Sequence, residues 1–389
     1  MAARRTVEVG FDFGTTTTMV AYGDRVLQMP SMVGYDLAGN RLFGIAEERM
    51  DHSLRSIKRA ITYGHETVQV RRGTIEPADP LMVGLLDQAI RQAENEGFPI
   101  RKRGAVRLGC PAMWPAGQRD RLVAIAQKAG LPVTRDSLVD EPVAAGIAWL
   151  SGDSVRRPSS FRLLVFDMGG GTLDVAVMDV RDRREVTVLS AVGHGVAGDN
   201  LDARLVNRLV DKLDEKISPF ANPNINRELR RAARTLKEGL SDEDEPKYFF
   251  KFGPHLGNNE IWFSRNELEK LFEPLMDQAL NVVSQALQRA GDGSAASIDV
   301  VILAGGMTHV PYLRNRLRRM FGPTVELTYA YPPADAGLFG WSPEDAIAVG
   351  LAQADRFGHI NLLRPAIDNR LAHGIDVNEG PFDDWRATE

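Results

Sequence analysis

The sequence has little that would support a disulfide-stabilised, thiolate-metal or membrane-spanning protein. Its single cysteine, Cys110, excludes an intrachain disulfide and a cluster of thiolate metal ligands. No apolar run approaches the roughly 20 residues that a membrane-spanning helix needs. The N-terminus leads into a strand-like segment that carries Glu8 and Asp12, which is not the pattern of a signal peptide. We therefore expect a cytoplasmic protein without a membrane partner.

An excess of positive charge and several familiar catalytic motifs are also missing. Lysine and arginine number 47 against 52 acidic residues, a formal net charge of -5, which argues against a nucleic-acid partner. The chain has no Gly-x-x-x-x-Gly-Lys-Ser/Thr run, no His-Glu-x-x-His and no Gly-x-Ser-x-Gly. These absences remove P-loop nucleotidases and make zinc hydrolases and serine esterases poor candidates.

Glycine is the residue in excess. The chain has 36 glycines in 389 residues, or about 9 % where roughly 7 % is usual. Domains most often run to roughly 100–150 residues, so this length predicts two or three of them. The segment 151–160, rich in Ser, Gly, Arg and Pro, is the predicted boundary between two lobes.

One pattern occurs twice, about 155 residues apart by the sequence numbering: a strand that ends in Asp, a Gly/Thr turn, and a returning strand. In the first copy, Thr6–Asp12 and Thr18–Tyr22 are the predicted strands. In the second copy, Phe161–Asp167 and Leu173–Met178 take their places. A duplicated element at this distance indicates two related lobes rather than a short-period repeat protein.

The turns of these two hairpins are suited to phosphate oxygens. Glycine lets backbone N–H groups approach a ligand, and threonine adds hydroxyl donors. The turn residues concerned are Gly14, Thr15, Thr16, Gly169, Gly170, Gly171 and Thr172. Asp12 and Asp167 end the preceding strands and could hold Mg²⁺ through its water shell. Either turn alone could be an ordinary glycine hairpin, but the matched pair favours a phosphate site.

A second glycine pattern competes with this interpretation. Gly193, Gly195 and Gly198 match the dinucleotide-binding spacing between a predicted strand and a predicted helix. The segment after that helix, residues 217–223, lacks the second strand with the acidic residue that would bind a ribose. A dinucleotide site is therefore the weaker hypothesis.

Hydrophobic periodicity and capping signals predict the remaining elements. Ser264 and Glu267 form a capping box at the start of a long helix. The other predicted helices are residues 117–129, a helix that begins at Glu141-Pro142 with an apolar face through Ala148, residues 200–216, a basic helix ending near 240, and residues 310–321 and 343–352. The other predicted strands are residues 186–192, 247–252, 261–263 and 299–304.

Five segments, in this order, resemble the two phosphate motifs, two connecting motifs and one adenosine motif of the actin-like ATPase superfamily. They are Asp12–Thr16, Asp140–Gly146, Phe166–Asp174, Leu303–Pro311 and Pro343–Gly350. Two further segments, Cys110–Arg119 and Ala197–Val206, resemble one branch specifically, the nucleotide-binding domain of the DnaK-type, seventy-kilodalton heat-shock chaperone family. The likeness covers roughly residues 6–357.

The resemblance implies an α/β fold with two duplicated, ribonuclease-H-like lobes and smaller peripheral subdomains around a central nucleotide cleft. The expected divisions are an N-terminal lobe at 1–155 and a C-terminal lobe at 156–357 with an inserted subdomain near 200–290, followed by a tail or linker remnant at 358–389. One peripheral subdomain of the N-terminal lobe is expected to be shorter than in the chaperones.

The resemblance also implies the cofactors ATP or ADP with Mg²⁺, and a role for each matching residue. Asp12 and Asp167 match acids around the Mg²⁺ waters, while Lys58, Glu141, Thr172 and Asp174 match catalytic positions. Nucleotide contacts are implied for the turn residues above and for Gly198, Arg234, Lys237, Gly305, Gly306, His309 and Glu344. Pro111 and Arg119 match the pair that relays nucleotide state to a substrate domain.

Four residues around the expected base and ribose depart from the family pattern. His309 stands where the family usually has an arginine that stacks on adenine. Ala233 and Lys237 replace a lysine and a serine, and Arg230 replaces an acid that commonly binds the ribose. Arginine–histidine stacking could still hold a purine, so the base selectivity stays open.

The implied function is magnesium-dependent ATP binding and slow hydrolysis that acts as a conformational switch. A J-domain co-chaperone, an exchange factor or a client protein would be the partner; no oligomeric state is indicated. About thirty residues follow the ATPase region, too few for a peptide-binding sandwich of roughly 100 residues, so the chain is either a fragment or a stand-alone ATPase. Ile360–Leu363 is expected to be an irregular surface segment rather than a linker remnant. The alternatives are a nucleotide-sensing module with negligible turnover, an actin-like filament protein and a sugar kinase.

Overall fold

The computed structural model describes residues 9–50, 52–71, 74–101, 106–152, 158–182, 185–213, 223–242, 246–291, 293–330, 343–356 and 359–362. Its helices are α1 (Arg59–Thr62), α2 (Ala78–Asn95), α3 (Ala116–Lys128), α4 (Glu141–Leu150), α5 (Gly198–Lys212), α6 (Pro223–Gly239), α7 (Arg265–Arg289), α8 (Pro311–Phe321) and α9 (Ala346–Gln353). None of the helices in these ranges combines the length and the apolar character needed to cross a bilayer.

The longest strands are three neighbouring strands of the second lobe, with 9, 9 and 10 residues. The strands in the described residues are β1 (Val9–Phe13), β2 (Thr17–Tyr22), β3 (Arg25–Pro30), β4 (Val33–Tyr35), β5 (Arg41–Phe43), β6 (His52–Leu54), β7 (Thr67–Arg71), β8 (Thr74–Pro77), β9 (Val106–Cys110), β10 (Leu138–Asp140), β11 (Ser160–Met168), β12 (Leu173–Arg181), β13 (Glu185–His194), β14 (Lys247–Lys251), β15 (Glu260–Ser264), β16 (Val300–Ala304), β17 (Glu326–Tyr329) and β18 (His359–Leu362).

The two large sheets repeat one topology. The first has the strand order β10-β9-β1-β2-β3, and the second has the order β17-β16-β11-β12-β13 with β18 added at the edge. In each sheet the first hairpin is antiparallel, and the later strands join it in parallel. The duplicated hairpin predicted from the sequence is thus the centre of a duplicated lobe.

Helices α4 and α9 pack against each other between the two sheets. Helix α4 follows the first sheet but packs on β11 and β12, whereas α9 follows the second sheet and packs on β1, β2 and β9. The contact of α4 with α9 is close because glycine faces backbone: a Cβ on Gly350 would lie 1.8 Å from the carbonyl oxygen of Ala144. Strand β1 approaches α9 in the same way, since a Cβ on Gly10 would lie 1.9 Å from the carbonyl oxygen of Ala348. This crossed pair joins the lobes beneath the cleft.

Smaller units lie at the periphery. Beside the first sheet are the three-stranded sheet β5-β4-β6, the hairpin β7-β8 and helix α2. Beside the second sheet are α5, α6 and α7 with the hairpin β14-β15. The elements of this second group occupy the region near 200–290 that the sequence predicts as an inserted subdomain.

Most predicted elements are confirmed, including the capping box, in which Ser264 and Glu267 exchange hydrogen bonds at the start of α7. Helix α2 was not predicted, although Leu81, Leu85 and Ala89 repeat at helical spacing and are buried. The expectation of an irregular segment at Ile360–Leu363 is wrong for residues 360–362, because they belong to β18, which pairs in parallel with β13; residue 363 lies outside the described residues. The lobe boundary at 155/156 and the tail from 363 lie outside the described residues.

Candidate active site

Four carboxylates are buried where the two sheets and α4 meet. Asp12 lies near the end of β1, Asp167 near the end of β11 and Asp174 near the start of β12, directly across the hairpin from Asp167. Glu141 is the first residue of α4. All four side chains are at most 5 % exposed, so their charges interact in a medium that water screens poorly.

A buried lysine supplies the nearest positive charge. The Nζ atom of Lys58 donates to Oε1 of Glu141 at 2.6 Å. Burial lowers the pKa of Lys58, but the carboxylates of Glu141 and Asp12 more than offset this effect, and its pKa is raised overall. Lys58 precedes α1, 83 residues from Glu141 along the chain, and it stays charged across the physiological pH range.

The carboxylates together carry more negative charge than Lys58 neutralises. Burial, and next the charge of Glu141, raise the pKa of Asp12 from its ordinary 3.8 to about 7. The same two causes raise the pKa of Asp174 to about 7, and burial raises that of Asp167 well above its usual range. Raised values from several neighbouring acids mark a site that favours bound protons or a cation.

The acids fit a hydrated magnesium ion. Oδ1 of Asp12 and Oδ2 of Asp174 are buried and accept no hydrogen bond within the described structure. Mg²⁺ takes oxygen ligands and usually keeps several of its waters. Within the same residues, no three acids, histidines or cysteines come close enough together to chelate a metal directly. The donor set therefore suits an ion held mainly through its waters.

The two hairpin turns face each other across the cleft. A Cβ on Gly170 would lie 2.4 Å from Oγ1 of Thr16, and a Cβ on Gly171 would lie 2.4 Å from Oγ1 of Thr15. Both distances are too short for real side chains, so only glycine permits this approach. The turns that the sequence predicts as a matched pair are brought together, with threonine hydroxyls from one lobe against bare backbone from the other.

Helix α5 is docked on the second turn by its first residues. The N–H groups of Gly198 and Asp199 donate to the carbonyl oxygens of Gly169 and Gly170 at 3.0 and 2.8 Å. These two hydrogen bonds hold the second Gly/Thr turn against the start of α5. Gly198 therefore contacts the second Gly/Thr turn. In the dinucleotide hypothesis it would instead act together with Gly193.

The third glycine turn follows β16. Gly305 has φ +79°, and a Cβ there would lie 2.6 Å from Oδ1 of Asp167. A Cβ on Gly306 would lie 3.3 Å from Oε1 of Glu344. These contacts bring three residues with predicted nucleotide roles, Gly305, Gly306 and Glu344, close to the acidic centre.

The residue expected to stack on a base has an aromatic neighbour. The ring of His309 stacks on Tyr329, with centroids 5.6 Å apart and planes inclined by 25°. Tyr329 is held in turn by Arg314, which donates to its hydroxyl at 2.9 Å. His309 is exposed, so its outer face could accept a purine ring.

Arg234 and Lys237 lie on α6, the helix that packs against α5. Lys237 donates to Oδ1 of Asp202 at 2.5 Å. Burial, and then the positive charge of Arg234, lower the pKa of Arg55, which belongs to the first lobe. Sequence reasoning assigned no role to Arg55, Asp199 or Asp202. The two acids lie within the family-like segment Ala197–Val206, which could have drawn attention to them, whereas no local motif marks Arg55.

The predicted relay pair, Pro111 and Arg119, is also brought together. Arg119 donates to the carbonyl oxygen of Pro111 at 3.4 Å and forms an ion pair of 2.7 Å with Asp140. The next residue, Ala112, donates its N–H to Oδ1 of Asp174 at 2.7 Å. Asp174 of the second lobe therefore accepts a hydrogen bond from a loop of the first lobe, and Arg119 holds that loop in place.

Comparison with known protein families identifies the family to which this chain belongs. The family model described as Hsp70 protein matches residues 97–331, more than half of the chain. The chain belongs to the Hsp70 family. Members of this family are ATPases, and the repeated sheets agree with the actin-like ATPase fold predicted for this Hsp70 chain.

Curated relatives extend the likeness beyond the family model. The chaperone protein DnaK of Thermosipho melanesiensis is 26 % identical over 376 residues, which cover 90 % of this chain and 61 % of the relative. That of Thermotoga maritima is 27 % identical over 382 residues, covering 90 % of this chain and 59 % of the relative. The Hsp70 chain thus spans about three fifths of the length of these relatives.

Proposed function

We propose that this chain binds ATP with Mg²⁺ in the cleft between its lobes, hydrolyses it slowly and uses lobe closure as a switch. The observation that carries the proposal is the group of four buried carboxylates around one lysine, placed directly behind two opposed Gly/Thr turns. Such a site provides both an anion cradle and a position for a divalent cation. The names of the curated relatives support the same function.

The turns would bind the polyphosphate. Backbone N–H groups at Gly14, Gly170 and Gly171, with the hydroxyls of Thr15 and Thr16, would provide donors from both lobes, whereas the N–H of Gly169 already donates to the carbonyl oxygen of Thr172 at 3.1 Å. Binding would therefore draw the lobes together, because each lobe supplies only half of the cradle. Asp12 and Asp167 would hold Mg²⁺ through its waters; when bound, this ion neutralises charge on the terminal phosphates.

Hydrolysis would depend on positioned groups at the inner end of the cleft. Asp174, whose pKa of about 7 results first from burial, is suited to orient a water and accept its proton near neutral pH. Thr172 hydrogen-bonds to the same carboxylate and lowers its pKa. Lys58, held by Glu141, would stabilise the negative charge that develops on the transferred phosphoryl group.

The bond between Ala112 and Asp174 would report nucleotide state to the first lobe. Any movement of Asp174 upon hydrolysis strains or releases the loop from Pro111 to Trp114, which Arg119 anchors. A J-domain co-chaperone, an exchange factor or a client would respond to that change. The cytoplasmic location expected from the sequence stays a prediction.

The altered base pocket favours a second function, nucleotide sensing with negligible turnover. Lys237 is engaged by Asp202, and His309 rests on Tyr329, so the pocket departs from the family pattern while the phosphate cradle is retained. Such a protein would respond to nucleotide occupancy without needing chemistry.

The two functions differ in phosphate release. Magnesium-dependent release of phosphate from ATP should be measurable for the wild type and lost in Asp167→Asn. Asp179→Asn is the matched control, since Asp179 lies on β12 and pairs with Arg162 at 2.6 Å outside the carboxylate group. Calorimetric ATP binding without release would favour the sensing module. Unchanged release in Asp167→Asn would refute the catalytic assignment.

A further inference from the structure

The ammonium group of Lys58 has few hydrogen bonds for a buried charge. An ammonium carries three N–H donors, and among the described residues Glu141 is the one hydrogen-bond acceptor of this group. Their bond of 2.6 Å fixes the distance between the two side chains, but by itself it leaves Nζ free to swing around the carboxylate oxygen. A second contact is needed to fix where the ammonium lies.

An aromatic ring provides this second contact. Nζ of Lys58 lies over the ring of Trp114, 5.5 Å from the ring centroid. This distance is within the roughly 6 Å over which the negative face of an indole attracts a cation. Both side chains are almost fully buried, with exposed fractions of 1 % for Trp114 and 3 % for Lys58. A cation–π contact is strongest where water is excluded, so this contact belongs to the stronger class.

The ring of Trp114 is itself fixed by its neighbours. Its Nε1–H donates to Oγ1 of Thr62 at 3.2 Å, and Thr62 is the last residue of α1, the short helix that directly follows Lys58. The backbone carbonyl oxygen of Trp114 accepts from Nε of Arg119 at 2.7 Å. The indole is anchored through both its polar edge and its backbone, so the fold sets its position over the ammonium.

The loop that carries Trp114 also contacts an acid of the second lobe. The N–H of Ala112, two residues before Trp114, donates to Oδ1 of Asp174 at 2.7 Å. One loop therefore contacts both the carboxylate proposed to orient a water and the lysine proposed to stabilise charge on the phosphoryl group. Such stabilisation depends on exact placement, and a misplacement of about 1 Å can slow a reaction on the order of a hundredfold.

We propose that Trp114 is a positioning residue, whose ring holds the ammonium of Lys58 in the place from which it acts on the transferred phosphoryl group. The family resemblance implies roles for Pro111 and Arg119 in the same segment, but none for Trp114. The inference rests on the proposed function, because it takes Lys58 as a catalytic group. Since Trp114 acts through Lys58 and not through the nucleotide, its loss should slow hydrolysis more than it weakens binding.

Substitutions at Trp114 separate its ring from its bulk. Trp114→Leu should lower the rate of ATP hydrolysis in a single turnover about tenfold or more, while the affinity for ADP measured by calorimetry stays within about threefold of the wild type. Trp114→Phe keeps an aromatic face and should recover most of that loss. Trp149→Leu is the matched control, since Trp149 is a buried tryptophan on α4 whose ring packs against Phe161 at 6.1 Å. It should lower stability but keep the rate within about threefold.

Fluorinated tryptophans at position 114 test whether the ring acts electrostatically. Each fluorine withdraws electron density from the face of the indole and hardly changes its size, so the attraction for a cation weakens stepwise. Site-specific incorporation of mono-, di- and trifluorotryptophan should therefore lower the single-turnover rate in steps, without a parallel loss of ADP affinity. Because the native shape is retained, this series decides the question even if Trp114→Leu fails to fold.

A thermodynamic cycle tests the contact without any turnover. Trp114→Leu and Lys58→Met are combined in the nucleotide-free protein, and the free energy of unfolding is measured by urea denaturation. If the ring holds the ammonium, the double variant should lose less stability than the sum of the two single losses, because either substitution alone already removes the contact.

The outcomes separate this inference from the proposed function. A graded loss of rate along the fluorine series, with recovery in Trp114→Phe and coupling in the cycle, supports it. A flat fluorine series, equal loss of rate in Trp114→Leu and Trp149→Leu, or additive effects in the cycle overturns it. Failure of the wild type to hydrolyse ATP would instead refute the proposed hydrolysis, and the cycle would then still decide whether Trp114 holds Lys58.

Discussion

Asp12→Asn should make the nucleotide-free protein more stable while weakening its function. The folded protein raises the pKa of Asp12 from 3.8 to about 7, so the folded state favours the protonated carboxyl; stability is full below about pH 3.8 and is lost progressively as the pH rises to about 7. That difference corresponds to on the order of 4 kcal/mol of folding free energy above pH 7. Asparagine has nearly the same shape and no charge.

The buried amide offsets part of this gain. Oδ1 of Asp12 has no hydrogen-bond partner in the described structure, and an unsatisfied buried polar group costs about 1–3 kcal/mol. We therefore expect Asp12→Asn to raise the free energy of unfolding by about 1–3 kcal/mol at pH 8. The advantage should shrink progressively between pH 7 and pH 4, as the wild-type carboxyl becomes protonated.

Urea denaturation at pH 8 and pH 5, without nucleotide or metal, measures this effect. Asp211→Asn on α5 is the control, because Asp211 is exposed and its substitution should change stability by less than about 0.5 kcal/mol at either pH. Magnesium-dependent nucleotide binding by Asp12→Asn should be weakened in parallel. A loss of stability at pH 8 as large as that at pH 5 would refute the proposed charge imbalance.

Two further substitutions test the cradle and the buried ion pair. Gly171→Ala places a Cβ 2.4 Å from Oγ1 of Thr15, and the resulting separation of the turns should reduce nucleotide affinity about tenfold or more. Gly117→Ala is the control, since a Cβ there has no atom within 4 Å. This substitution should leave the affinity measured by calorimetry unchanged. Lys58→Met should destabilise the nucleotide-free protein by about 3–5 kcal/mol because it leaves Glu141 buried and unpaired. Adding Glu141→Gln should restore part of that loss in chemical denaturation, and a double variant no more stable than the single one would contradict the pairing.

Much of the local structure can be predicted from the sequence because it depends on near neighbours. The hairpin at β11 and β12 follows from two short apolar runs on either side of Gly169–Gly171. The start of α7 follows from Ser264 and Glu267, three residues apart. Duplication of the hairpin indicated two lobes, and the repeated strand order agrees with that prediction.

Other parts of the site depended on family resemblance or on the three-dimensional structure. A basic residue such as Lys58 carries no local sign of burial, and only the resemblance suggested its role. The interaction between the charges of Arg55 and Arg234 had no signal in the sequence or in the resemblance, because the two residues lie on elements far apart along the chain.

The sequence by itself determined the turns, the periodicity of the main helices and the chemical character of the phosphate cradle. Tertiary structure alone decided which charged and polar groups interact away from solvent. The pairs are Lys58 with Glu141, Asp174 with the N–H of Ala112, and Arg55 with Arg234. The physical reason is that propensity and capping act over a few residues, whereas charge interactions depend on distance and burial. Both quantities are set by the packing of segments tens to hundreds of residues apart.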